Sequence, residues 1–195
     1  MPTRDPVLTP ELIKIMKIFI FSSFGLVLIF SFFNTYRADN TGQDRTFKVS
    51  DAEKLYFMNV RSIHYDREPR RDAGMTLFRH GKRMQSDSLP TFEPMILINP
   101  IKDEAYIFFE LLNAEYPISL HALSDKDSTS VEFSNGNNQD HLKLMNQLKT
   151  WIDANYQIVL KKGSQSFPLW STEKEKDVFK TIAEDYFRLI NQAHN

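Results

Sequence analysis

The chain has no cysteine in its 195 residues. That removes disulfide scaffolding, thiolate nucleophiles, cysteine-ligated metal centres and a lipoprotein anchor. Its six glycines are scattered, and they form neither a Gly-rich phosphate loop nor a Gly-x-Ser-x-Gly nucleophile turn. The histidines, at 64, 80, 121, 141 and 194, show no His-x-x-x-His spacing, so the pair that grips zinc from one helix face is missing. Asp125-x-Asp127-x-Thr129 opens like a calcium loop, but Ser130 stands where the loop needs glycine and Gly136 where it needs a bidentate glutamate. A net charge of −1, with no recognition helix or RNA-binding motif, argues against nucleic acid. No metal and no cofactor is expected, and no internal repeat or low-complexity segment is present.

What is present is one apolar stretch near the N-terminus. Ile18 to Phe33 is uninterrupted by charge; at 1.5 Å per residue it spans about 24 Å, against about 30 Å of hydrocarbon in a bilayer. Adding Leu12 to Met16 and Tyr36 brings it to spanning length. A transmembrane helix over 12–36 is therefore expected, between an N-terminal tail (1–11) and a polar tether (37–49). Thr9 suits the N-cap, Pro10 the first helical position and Glu11 the positive end of the dipole. Lys14 and Lys17 would reach headgroups at one end of Ile18, and Tyr36 and Arg37 would anchor the end after Phe33. The exit lacks the small residues of a signal-peptidase site, so the segment is expected to stay uncleaved. Its two lysines favour a cytoplasmic N-terminus and an extracytoplasmic C-terminal domain. Ser22, Ser23 and Gly25 form a small-residue cluster that is ordinary anchor composition or a place for a partner helix.

Residues 50–195 are of a size for one domain. Ser50 with Glu53 has capping-box spacing and opens a helix over about 51–59, followed by an extended stretch through Ile63 and Tyr65. Strands are expected at 75–79, at 95–98 between Pro94 and Pro100, at 105–112, at 118–123 and at 130–133. Leu142, Met145, Leu148, Trp151 and Ile152 then recur at helical spacing over 140–154, capped by Asn138 or Asp140. A strand at 156–161 follows. Thr172 with Glu175 starts a last helix bearing Val178, Phe179, Ile182, Tyr186, Leu189 and Ile190 on one face. The expected fold is α+β: the transmembrane helix, then an antiparallel sheet of about five to six strands packed by two helices.

Two segments carry candidate chemistry. Arg79-His80-Gly81-Lys82-Arg83, after the 75–78 strand, resembles the RHGxR motif of histidine phosphatases. The resemblance covers five residues and implies His80 as the nucleophile on phosphorus, with Arg79 and Arg83 binding phosphate oxygens. It also implies a second histidine, for which His121 is a bare candidate, an acidic proton donor and a fold alternating strands with helices. The competing reading is a strand ending in a His-Gly turn flanked by solvated basic residues. The wider stretch from Arg61 to Arg83 holds seven basic residues (Arg61, Arg67, Arg70, Arg71, Arg79, Lys82 and Arg83) against three acidic ones. It could meet headgroups or an acidic partner, or be a solvated loop. Trp170 is expected to plug a core edge; the alternative is a ligand groove shared with Tyr56, Phe57 and Tyr65.

The functional expectation is a single-pass, non-enzymatic accessory, scaffold or assembly module of a membrane or cell-envelope complex, with the lipid bilayer and other envelope proteins as partners and the oligomeric state open. A membrane-bound hydrolase with the phosphatase-like site is one alternative. An extracytoplasmic ligand-binding or sensor domain is the other.

Overall fold

The structure, a computed structural model, describes residues 9–32, 46–124, 127–163 and 165–191. They belong to two units, Met1–Asp44 and Arg45–Asn195.

In the first unit, helix α1 runs from Pro10 to Phe32. Thr9 caps it, its hydroxyl oxygen accepting the Leu12 N–H at 3.2 Å. Among the described residues, no helix is long and apolar enough to cross a membrane, and this overturns the expected transmembrane span. Glu11, Lys14 and Lys17 occupy the first turns, so the charge-free part of α1 begins only at Ile18 and covers about 22 Å, well under the hydrocarbon thickness. Phe33, Tyr36 and Arg37, and most of the expected tether, lie outside the described residues.

The second unit contains α2 (Asp51–Tyr56), which continues through a π-helical turn (Phe57–Arg61) and a 3-10 turn (Ser62–His64) into β1 (Tyr65–Arg70). Ser50 caps α2 by accepting the Glu53 N–H. Strands β2 (Met75–His80), β3 (Thr91–Asn99) and β4 (Glu104–Leu112) complete an antiparallel meander in the order β1-β2-β3-β4. Strands β5 (Ile118–Leu123) and β6 (Ser128–Phe133), helix α3 (Asn138–Asp153), strands β7 (Gln157–Lys162) and β8 (Gln165–Leu169) and helix α4 (Glu173–Leu189) follow. The second sheet is antiparallel in the order β6-β5-β7-β8.

Two four-stranded sheets thus replace the single sheet of five to six strands. The strands that sequence reasoning missed, β1 and β8, are both edges. Their sequences, Tyr-Asp-Arg-Glu-Pro-Arg and Gln-Ser-Phe-Pro-Leu, lack apolar alternation because an edge buries little and tolerates charge and proline. Strand β3 also runs through Pro94. The β2–β3 ladder stops at Arg79↔Met95, so the missing proline N–H falls where only β4 pairs with β3. The cap of α3 is Asn137, not Asn138 or Asp140; Asp140 is the reciprocal member of the box, accepting the Asn137 N–H. Thr172 and Glu175 form the expected box on α4.

One core joins the two sheets and two helices. Helix α4 packs on β3 and β4, and α3 reaches from β4 to β7. Phe92, Ile96, Ile107 and Phe109 of the first sheet, Leu120 and Leu160 of the second, Met145 and Leu148 of α3 and Phe179, Ile182 and Tyr186 of α4 are all fully buried. The outer edge of β4 is closed by side chains: His141 Nδ1 of α3 accepts the Phe109 N–H at 3.2 Å, and the Tyr116 hydroxyl donates to the Phe109 carbonyl at 3.2 Å.

The start of the domain is clasped to its last helix. Asp185 of α4 is buried, accepts Arg61 Nε at 2.6 Å and accepts the Tyr65 hydroxyl at 2.7 Å. One turn on, Arg188 donates to Glu53 at 2.7 Å and sits 3.7 Å over the Tyr56 ring. Removing the shared acceptor would strand a cation and a hydroxyl. Asp185→Ala is expected to lower the unfolding free energy by about 3 kcal/mol, read as a lower urea midpoint at unchanged m-value. A loss below about 1 kcal/mol, the scale of an exposed ion pair, would show that the clasp does not hold the two ends together.

Candidate functional site

The outer face of the first sheet carries a cavity of about 240 Å³ lined by Arg79, Arg83, Thr91, Glu93 and Glu110, among others. It is the place to ask whether the phosphatase-like residues converge. Strand alternation decides the matter first, because successive side chains project to opposite faces. Arg79 lies on the cavity side. His80 is buried on the other face, its ring edge-on to Tyr65 at 5.1 Å.

The arginines are already spoken for. Arg79 makes a bidentate pair with Glu110, at 2.8 and 2.7 Å, and a third bond to Glu68 at 2.6 Å. The Glu110 hydrogen bonds raise its pKa further above the ordinary arginine value. Arg83 donates to Asp66 at 2.6 Å and to the His80 carbonyl at 3.1 Å. His80 Nδ1 accepts the Lys82 N–H at 3.2 Å, which places the ring proton on Nε2. Burial moves the His80 pKa down, with His64 adding a smaller push in the same direction. His121 stands in the other sheet, on β5, 3.0 Å from Ser119 Oγ. The structure does not bring these groups around one reacting atom.

The rest of the basic segment is largely engaged as well. Arg61 turns inward to Asp185, Arg70 pairs with Asp72 at 3.1 Å, and Arg67 lies 6.0 Å from the Phe78 ring centroid. Arg71 and Lys82 are exposed. Trp170 is buried against Phe179 and Phe92, at 4.8 and 6.5 Å between ring centroids, as a plug would be. Phe57 and Tyr65 instead pack on each other, at 5.5 Å.

Sequence reasoning missed Glu93. This carboxyl sits on β3 between Phe92 and Pro94 and is buried. Its Oε1 has no hydrogen-bond partner, and neither does the indole nitrogen of Trp170. Burial pushes the Glu93 pKa up to about 8, Glu175 adds to the rise, and the Trp170 N–H directed toward the carboxyl works against it without closing a bond. Trp170 has φ of 47°, a left-handed backbone that costs a bulky residue energy and persists only where its surroundings impose it. The available signal was a lone acid inside an apolar strand. Among the described residues there is no group of three or more acidic or histidine side chains placed to hold a metal. Comparison of the chain with family models, with curated proteins and with solved structures found no match.

Glu93 and His141, both buried, give opposite pH signatures. Glu93 has a folded pKa above its unfolded value, so its contribution is fully present below about pH 4.5 and fades as pH rises through about 8. His141 has a folded pKa lowered to about 4 by burial, so its contribution is present above about pH 6.5 and fades as pH falls through about 4. Glu93→Gln is expected to flatten the alkaline side of the stability profile, removing a decline of about 3 kcal/mol between pH 5 and pH 8. Denaturant melts of both proteins across that range test it; an unchanged slope in the variant would mean that Glu93 is not the group that titrates.

Proposed function

We propose that the protein is a non-enzymatic accessory or scaffold module of a membrane or cell-envelope complex, held there through α1. The observation that carries this reading is the surface of α1. Ile15, Ile18, Phe19, Phe21, Phe24 and Phe30 are all exposed, and at 100° per residue they lie on every side of the helix. A helix apolar all round is stable only when something apolar covers it. The reading needs that cover, not a bilayer crossing. The folded domain supports it in a second way, because Arg79 and Arg83, the arginines of the phosphatase-like motif, are bound to carboxylates in ion pairs and are not left open toward a substrate.

An apolar attachment resists salt and yields to detergent, whereas an electrostatic one is screened at high ionic strength. In fractionated cells, the full chain is expected in the membrane pellet after a 1 M salt wash and in the supernatant after detergent. Residues 45–195, which form their own compact unit with their own core, are expected in the soluble fraction. A full chain found free in the soluble fraction, without any companion protein, would overturn the proposal. Phosphatase activity that is lost on His80→Ala would overturn its non-enzymatic part.

A further inference from the structure

Each sheet has two edges, and an open edge is a row of unpaired backbone donors and acceptors ready to take another strand. Three of the four edges carry a block. Strand β1 has Pro69 and four charged side chains. Strand β4 has its backbone at Phe109 taken by His141 and Tyr116. Strand β8 has Pro168 at its fourth position. Strand β6, Ser-Thr-Ser-Val-Glu-Phe, has no proline and a single charge, and among the described residues it pairs only with β5. Beside it a groove of about 330 Å³ opens toward α3, with Val131, Phe133 and Leu144 among its walls.

The sequence of β6 says what can pair with it. Two antiparallel copies of one edge strand are related by a twofold axis perpendicular to the sheet, so facing side chains lie on the same face of the pleat. Thr129, Val131 and Phe133 share the more buried face, and Ser128, Ser130 and Glu132 the exposed one. With the axis at Val131, the two Val131 side chains face each other and Thr129 of each copy faces Phe133 of the other. Ser130 of each copy then faces Glu132 of the other, a hydroxyl against a carboxylate. Thr129 against Phe133 sets a β-branched side chain opposite an aromatic ring, and the only charge never directly faces its like. Centring on Ser130 would set Ser130 against itself and leave Phe133 unpaired.

We propose that β6 is a self-association edge, which joins the second sheets of two copies of this chain into one eight-stranded antiparallel sheet centred on Val131. The contact is one short strand with the groove beside it, below the roughly 1,600 Å² of a standard interface, so the dimer dissociates on dilution. The inference rests on the folded domain and stands whether or not α1 is attached as proposed above.

The absence of cysteine makes the test specific. Facing residues in an antiparallel pair have Cβ atoms about 4.5–5.5 Å apart, close to disulfide reach. Val131→Cys in the full chain, in detergent under mild oxidation, is expected to give a covalent dimer; Ser166→Cys, exposed on the β8 edge, is not. Sedimentation of residues 45–195 is expected to show a dimer at about 500 µM that falls to monomer near 1 µM. Val131→Lys, checked for folding by circular dichroism, is expected to stay monomeric throughout. Equal crosslinking of the two cysteine variants would overturn the proposal. So would a wild-type domain that is monomeric at every concentration, or a dimer indifferent to Val131→Lys.

Discussion

A single buried carboxylate organises the domain. Asp185 accepts Arg61 and Tyr65 at once, from a position 120 or more residues away in the chain, and so ties the first elements of the fold to its last helix. The Tyr65 ring, held at its hydroxyl, packs on Phe57 and His80, and Phe57 packs edge-on to Phe78 at 5.2 Å. The direction in which the β1–β2 pair enters the sheet follows from that contact. A charge this deep is tolerable only because both its oxygens have donors, which is why the segment after α2 must turn as it does, through a π-helical and then a 3-10 turn.

The same logic accounts for the charged face of the first sheet. Arg79 bridges Glu68 on β1 and Glu110 on β4, reaching past β3, and Arg83, just beyond the end of β2, reaches back to Asp66 on β1. An Arg-His-Gly sequence at a strand end resembles a phosphate site only if its side chains converge. On a pleated strand neighbouring residues diverge, and here the arginines meet carboxylates while the histidine enters the core. Among the described residues, buried polar atoms stay unpaired elsewhere: at Glu93, at Trp170 with its left-handed backbone, and at His141 Nε2 and the Tyr186 hydroxyl.

The legible parts of the chain were those that bury a face. Strand β5 was read residue for residue, β4 to within one residue and α4 from its capping box, because alternation and helical spacing record burial directly. Edges are different. Strands β1 and β8 are held by neighbours on one side and need no apolar pattern, so their sequences read as a charged loop and a proline break. The division of the strands into two sheets was equally hidden. Both arrangements bury the same faces, and only the packing of α3 across β4 and β7 shows where one sheet ends.

The candidate site divides along the same line. The sequence alone determined the exclusions, since chemistry that needs cysteine, a glycine-rich loop or paired histidines cannot be built from residues the chain lacks or spaces wrongly. It also determined that 18–32 is strongly apolar, because hydropathy is a property of the residues themselves. That Asp185 joins Arg61 and Tyr65, that Arg79 and Arg83 are taken up by Glu68, Glu110 and Asp66, and that β6 is, among the described residues, the edge without a block were decided by tertiary structure. Those are statements about distance between residues far apart in the chain, and local sequence holds no record of them.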